Sequence, residues 1–149
     1  MESLKDNIYL EIFEKQGFYV GTTKGESMLP MIRSGIDSIV LEPINRKIKR
    51  YDCLMFRRDN GKYVMHRVLR VKKDGYKMCG DNQWRAEIIR FDMAVGVLKG
   101  YYKGERYIPI EKFSYKVYYH FRTFFRFWRF IKAGFRKVFR IIFKRKKNG

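Results

Sequence analysis

The chain has 149 residues, a formal net charge of +19 and only two cysteines. This length suits one domain with a modest core and an appendage rather than two domains. Cys53 and Cys79 do not form a disulfide scaffold, so we expect both to be small core residues in a reducing compartment. The charge is uneven, since residues 113–147 contain twelve Lys and Arg and no Asp or Glu. This segment therefore favours an anionic partner, whereas the rest of the chain need not have one.

The first predicted element is a short helix within residues 1–16. Apolar residues recur at helical spacing from Leu4 to Phe13, and Gly17 is a natural C-terminal stop. The first six residues of the chain are polar and acidic and contain no apolar run. We therefore expect no signal peptide or membrane anchor here, and a body on the cytoplasmic side.

Residues 17–112 predict a single, mostly antiparallel β domain. Their β-branched and aromatic runs are broken by Gly, Asp, Asn and Pro, a composition typical of strands joined by turns. The Asn60-Gly61 pair predicts a tight hairpin, because glycine supplies the positive φ that such a turn needs. The fold class is therefore mainly β. The predicted strands cover residues 18–23, 38–41, 53–58, 62–71, 76–79, 94–102 and 106–110.

A serine lies in the stretch Gly25-Glu26-Ser27-Met28-Leu29-Pro30, which is too short and too punctuated for regular structure. Gly25 lets a substrate backbone approach closely, and Pro30 prevents continuation as helix or central strand. Ser27 is therefore a candidate nucleophile, although Gly-x-Ser also occurs in ordinary turns. The chemistry needs a base for its proton and backbone N–H groups for the oxyanion.

A candidate base and a candidate acid follow on the predicted hairpin. His66 alternates with Val64 and Val68 on one strand face, and an imidazole has the near-neutral pKa that a serine hydroxyl requires of its base. A lone histidine of this kind is also common as a hydrogen-bonded core residue. Asp81 follows the next strand, where its carboxylate can orient the imidazole or, alternatively, form an Asx turn with Asn82.

Four short motifs follow one another along the chain: Gly-x-Ser-Met-x-Pro, Tyr-Asp, His-Arg-Val and Gly-Asp-Asn. In this order and spacing, over roughly residues 21–100, they resemble the type I signal peptidase family in its endoplasmic-reticulum and archaeal branch. That family resembles the LexA-like self-cleaving repressors in fold and mechanism. The resemblance implies a Ser-His mechanism, with His66 where the bacterial and repressor branches have a lysine.

The resemblance also implies roles for the neighbouring residues. The acidic role falls on Asp81 or on Glu87, and we rank Asp81 first. The Ser27 backbone N–H should meet the oxyanion, but Gly25 stands where many signal peptidases have a second donor hydroxyl. That donor must come from the backbone or be missing, and its loss lowers the rate on the order of 100-fold or more.

By resemblance, the reaction is hydrolysis of a peptide bond after a small residue, with the substrate extended along a strand edge. Met28 and Leu29 can line the pocket for that small residue, with Gly25 close to the substrate backbone. The mechanism calls for no metal and no cofactor.

The C-terminal segment predicts a basic amphipathic helix of about 25 residues within residues 113–149. Its cations fall in one sector of a helical wheel and its apolar residues in the opposite one. Several central cations would raise the free energy of spanning a bilayer by well over 10 kcal/mol in total, so we expect an interfacial helix. The basic sector holds Arg122, Arg126, Arg129, Lys132, Arg136, Lys137, Arg140 and Lys144; the apolar sector holds Phe124, Phe127, Trp128, Ile131, Phe135, Val138, Phe139 and Ile142.

An anionic membrane surface is the expected partner of this helix, and nucleic acid is the rival. We favour the membrane because a continuous face of Phe, Trp and Ile prefers a low-dielectric partner. The same face can instead pack on the β domain or on a second copy of the chain.

The sequence thus predicts a signal-peptidase-like serine endopeptidase at the membrane surface, peripheral and on the cytoplasmic side, acting on a peptide or protein substrate. One alternative is a LexA-like regulator that cleaves itself, with Ala133-Gly134 as a candidate bond. Another is a non-catalytic module that binds membrane or nucleic acid through its basic segment.

Overall fold

A computed structural model describes residues 8–125 and Ile131. Two helices lie at the ends of the described chain: α1, Ile8–Gln16, and α2, Phe113–Phe124. Helix α1 ends as the sequence predicts, because Gly17 adopts a φ of 77° and its N–H donates to the Phe13 carbonyl at 2.9 Å. The remainder of the predicted C-terminal helix lies outside the described residues, apart from Ile131.

Between the helices, the described residues form one antiparallel sheet of eight strands, so the fold is mainly β, as predicted. The strand order is β1-β2-β7-β3-β4-β5-β6, and β8 pairs with β7. The Asn60-Gly61 hairpin joins β3 to β4, with Gly61 at a φ of 79°. The strands are β1 Tyr19–Thr22, β2 Ser38–Glu42, β3 Cys53–Arg57, β4 Tyr63–Val71, β5 Gly75–Cys79, β6 Glu87–Arg90, β7 Ala94–Lys103 and β8 Arg106–Pro109.

Strand β6 was not predicted from the sequence. It has four residues and pairs with β5 at the end of the strand order, and Ile89 is its one fully buried side chain. A strand this short, with one buried residue, has too little alternation to be recognised as a strand. Its omission matters because β6 carries Glu87, which pairs with Met78 of β5.

Strand β4 separates two apolar clusters. Val68, which alternates with His66, packs with Leu54, Phe56 and Met78 in one of them. The other contains Met31, Cys53 and Met65, together with Tyr115 from α2, and Arg67 lies on this side. Because side chains alternate along a strand, His66 and Arg67 are directed to opposite faces of the sheet.

Helix α2 packs on the β domain through one face and leaves another exposed. Tyr115, Tyr118 and Tyr119 contact the body and belong to, or pack against, the cluster around Met31. Phe113 and Phe124 are exposed by 79% and 74%. The helix is therefore part of the folded body from its first turn, although the sequence placed the end of the β domain at residue 112.

Candidate active site

The Ser27 loop connects β1 to β2 and is pressed against residues 80–82. Ser27 is partly buried, and its carbonyl accepts the Asn82 N–H at 2.7 Å. Gly80 has no room for a side chain, since a Cβ there would lie 2.6 Å from the Ser27 carbonyl oxygen and 2.9 Å from the Ser27 Cβ. The two loops thus meet at the predicted nucleophile, and the glycine allows their close approach.

Ser27 and His66 border the same cavity, which has a volume of about 490 Å³. Gly25 and Met28 also line it, as expected for residues near a substrate, although Met28 is 96% buried and serves largely as core. Leu29 is not among its lining residues, and its carbonyl instead accepts a hydrogen bond from Arg122. Two of the three predicted substrate-binding residues therefore border the cavity.

The His66 ring is almost completely buried, and its surroundings keep it neutral. Burial lowers the pKa of His66, the nearby Arg58 cation lowers it further, and the Glu87 carboxylate acts in the opposite direction. The net effect is a pKa below the ordinary value of a histidine. The imidazole is therefore unprotonated at neutral pH, which is the state that can accept a serine proton.

Glu87 is the carboxylate beside this ring. Its Oε1 lies 2.8 Å from His66 Nδ1, within ion-pair distance, although the contact is not aligned as a hydrogen bond. Nε2 is also buried without a hydrogen-bond partner among the described residues, so no hydrogen bond joins it to Ser27 in this structure. Catalytic hydrogen bonds of this kind commonly tighten only when substrate binds.

Arg58 fixes the position of Glu87. Its Nη2 donates to both carboxylate oxygens, at 2.8 and 3.0 Å, and its Nε donates to Oε2 at 3.2 Å. Arg58 also lines the cavity. A chain of polar groups therefore runs from Arg58 through Glu87 to His66 and ends in the cavity that Ser27 borders.

Asp81 was ranked first from the sequence as the partner of His66, but its carboxylate binds Arg67 instead. Its two oxygens accept Nε and Nη2 of the buried Arg67 at 2.7 and 2.6 Å, and the Tyr118 hydroxyl donates to Oδ2 at 3.0 Å. Burial raises the pKa of Tyr118, which keeps this hydroxyl protonated as a donor. Since Arg67 lies on the sheet face opposite His66, the carboxylate beside the His66 ring is that of Glu87, whereas Asp81 pairs with Arg67.

The amide of Gly25 is not free to serve as the second oxyanion donor. Its N–H donates to the Ser34 hydroxyl at 3.0 Å, and that hydroxyl donates in turn to the Thr23 carbonyl. Gly25 adopts a φ of 91°, so a side chain there would be strained. The Ser27 N–H thus remains the donor expected from the sequence.

Three arginines important to the site were not identified from the sequence. Arg58 and Arg67 follow ordinary strand patterns, and nothing in those patterns indicates that one will hold Glu87 and the other will be buried. Arg122 was assigned to the basic sector of the tail helix, and its Nη2 donates to the carbonyls of Leu29 and Asp81. The helical wheel alone does not show which of its cations contacts the body, because that depends on how α2 packs.

No disulfide joins Cys53 and Cys79, and both side chains are buried, as expected. Burial raises the pKa of the Cys53 thiol to about 11. Within the described part of the chain, no group of three His, Cys, Asp or Glu side chains is arranged to hold a metal ion. None of the helices there has the length and apolar character needed to cross a bilayer.

Comparison with known proteins identifies no relative: no family model matches the chain, and no curated protein matches it.

Proposed function

We propose that the protein is a serine endopeptidase of the signal-peptidase-like type, with Ser27 as nucleophile and His66 as general base. The observation that carries this proposal is the shared cavity of Ser27 and His66, with the Glu87 carboxylate 2.8 Å from Nδ1 of the His66 ring. The four sequence motifs support the same conclusion, and so does the mainly β fold.

In this mechanism, the Ser27 Oγ attacks the substrate carbonyl carbon while its proton passes to His66 Nε2. The resulting oxyanion accepts a hydrogen bond from the Ser27 N–H. His66 then gives its proton to the leaving amine, and water hydrolyses the acyl-enzyme by the reverse transfers. Glu87 stabilises the imidazolium and holds Nδ1 protonated, so that Nε2 is the nitrogen that accepts.

A serine-directed fluorophosphonate probe tests the proposal. The native protein should be labelled on Ser27, as located by mass spectrometry, and both Ser27→Ala and His66→Ala should lose labelling while retaining their fold. Lys24 also lines the cavity and offers a matched control, because a Ser-Lys mechanism would need it or another lysine as the base. Lys24→Met should therefore label like the native protein. Labelling that survives His66→Ala but not Lys24→Met overturns the Ser-His mechanism.

We further propose that the enzyme works at an anionic membrane surface. Helix α2 exposes an apolar stripe made of Phe113, Val117, Phe121 and Phe124, each between 51% and 79% exposed. Lys112 at the N-cap and Lys116 within the helix are also exposed, and ten further Lys and Arg follow the helix in the chain. Apolar side chains bordered by cations favour the interface of an anionic bilayer.

Vesicle flotation separates this partner from the rival ones. Binding should be stronger to vesicles that contain phosphatidylserine than to phosphatidylcholine vesicles, and should weaken with salt. Replacing Phe113 and Phe121 by Ser should reduce binding, whereas Ser at the exposed Ile36 and Val71 should not. No difference between these two double variants, or an oligonucleotide gel shift without vesicle binding, would contradict the membrane proposal.

A further inference from the structure

The position of Ser27 depends on the neighbouring loop of residues 80–82. The Asn82 N–H holds the Ser27 carbonyl, and Gly80 lies against the Ser27 backbone and Cβ. Any group that fixes residues 80–82 relative to the Ser27 loop therefore also fixes the nucleophile.

Arg122 joins these two loops through a single nitrogen. Its Nη2 donates to the Asp81 carbonyl at 2.7 Å and to the Leu29 carbonyl at 3.2 Å. Leu29 lies two residues after Ser27, and Asp81 directly precedes Asn82. Because the guanidinium is planar and its two Nη2 hydrogens are fixed in direction, Arg122 sets the separation of the two loops.

Helix α2 is anchored to the β domain in the turns that precede Arg122. Tyr115 and Tyr118 precede Arg122 by seven and four residues, so the three side chains share one helix face. The Tyr115 hydroxyl accepts Arg67 Nη1 at 3.0 Å, and the Tyr118 hydroxyl donates to Asp81 at 3.0 Å. The helix is thus anchored to the body in the two turns before Arg122.

We infer that Arg122 is a positioning residue, which holds Ser27 in the orientation for attack and makes α2 a part of the catalytic apparatus. This inference rests on the proposed peptidase function. Arg122 acts through the Leu29 and Asp81 carbonyls and does not touch the reacting atoms. A nucleophile displaced by about 1 Å can lose on the order of 100-fold in rate.

The first test measures labelling of Ser27 by the fluorophosphonate probe in the full chain. Arg122→Met removes both hydrogen bonds, and we expect the maximal labelling rate to fall at least about tenfold, with little change in the probe concentration for half-maximal rate. Arg122→Lys retains a cationic donor and should recover part of the rate. Arg70→Met is the matched control, because Arg70 is exposed on β4, and it should label normally.

The second test measures directly how firmly Arg122 holds residues 80–82 against the Ser27 loop, and it does not depend on the labelling reaction. Hydrogen exchange of the Asn82 amide, which donates to Ser27, should be about tenfold faster in Arg122→Met and unchanged in Arg70→Met. If Arg122→Met does not fold, Arg122→Gln takes its place, because its shorter neutral amide cannot bridge both carbonyls.

The outcomes distinguish the inference from the function on which it rests. A native protein that is not labelled on Ser27 contradicts both. A native protein that is labelled, with Arg122→Met or Arg122→Gln labelled at the same rate, overturns the positioning role alone. Faster Asn82 exchange with normal labelling also overturns it, since the loops would then be loosened without effect on the nucleophile.

Discussion

His66 and Arg67 are consecutive residues of β4, both about 99% buried, and their surroundings differ in one decisive way. All five N–H groups of Arg67 have acceptors: two Asp81 oxygens, the Tyr51 carbonyl, the Tyr115 hydroxyl and the Met31 sulfur. His66 has a carboxylate near one nitrogen and, among the described residues, no hydrogen-bond partner for the other. Every hydrogen-bond donor of Arg67 therefore has an acceptor, whereas His66 can still form a hydrogen bond.

Under the proposed function, this difference separates a structural side of the strand, at Arg67, from a chemical side, at His66. A buried polar group without a partner is unfavourable, and a catalytic role is one reason for which proteins retain such groups. A saturated buried ion pair is typical of a structural network, and removing one partner leaves an uncompensated charge. The following predictions test this division, from the largest expected effect to the smallest.

Asp81→Ala should destabilise the protein strongly. It leaves the Arg67 guanidinium buried without its carboxylate, so we expect the free energy of unfolding to fall by about 3–5 kcal/mol. Urea denaturation followed by circular dichroism measures this. Asp92→Ala removes an exposed carboxylate that pairs with Arg90 and should change the free energy by less than about 1 kcal/mol. Equal losses in the two variants would refute the structural assignment of Asp81.

Glu87→Gln should reduce catalysis and leave the fold intact. The amide keeps the shape of the side chain but cannot stabilise the imidazolium, so we expect kcat to fall on the order of 100-fold, with the free energy of unfolding changed by about 1 kcal/mol or less. Peptide hydrolysis and urea denaturation provide the two measurements. Glu105→Gln, at an exposed turn, is the control. Unchanged kcat would return Asp81 to consideration as the orienting acid.

Arg58→Gln should move the acid limb of the pH profile. In the proposed mechanism, activity requires neutral His66 and should be lost as pH falls through its pKa, which lies below the ordinary histidine value in the native protein. Arg58 lowers that pKa, whereas Glu87 and the more distant Asp81 raise it. Removing the cation raises the pKa of His66, so activity should be lost at a higher pH than in the native protein.

The dependence of kcat/KM on pH measures this shift, with Arg70→Gln as an exposed arginine control. The same titration affects stability. Because the folded protein has a lowered His66 pKa, the unfolded chain binds more protons, and stability decreases as pH falls below the ordinary histidine pKa. If the acid limb does not move in Arg58→Gln, Arg58 does not lower the pKa of His66.

Tyr9→Ala should alter specificity rather than rate. Tyr9 of α1 lines the cavity, and its ring packs edge-on against Tyr19 and Tyr63, with centroids 4.8 and 4.7 Å away. Removing the ring enlarges the cavity, so the kcat/KM ratio for Leu over Ala before the scissile bond should rise about tenfold. Tyr9→Phe keeps the ring and should preserve the ratio. An unchanged ratio in Tyr9→Ala would show that the Tyr9 ring does not contribute to substrate selection.

Local patterns were sufficient for most of the fold. Seven of the eight strands were predicted to within two residues at either end, because alternation and turn residues act over a few positions. The helix stop at Gly17 and the positive φ at Gly61 were predicted for the same reason. The motif containing Ser27 and the burial of His66 between Val64 and Val68 were also accessible locally.

The partners of the charged residues were not accessible in this way. Glu87 reaches His66 only because β6 pairs with β5. A strand of four residues has too little sequence pattern for that pairing to be predicted. Asp81 binds Arg67 because its carboxylate meets the guanidinium on the sheet face opposite His66, where Tyr118 and Arg122 of α2 also contact Asp81. Both contacts join residues at least fourteen positions apart.

The sequence by itself determined a mainly β chain with a serine in a tight loop, a histidine on a buried strand face and a basic, aromatic C-terminal segment, since each follows from short-range spacing. Only the tertiary structure decided that Glu87 and not Asp81 meets the imidazole, that Arg67 is buried, and that Arg122 contacts the Ser27 loop and residues 80–82. The physical reason is that a buried charge is stable only beside a compensating group, and the approach of that group depends on how strands and helices pack, not on the residues next to it in the chain.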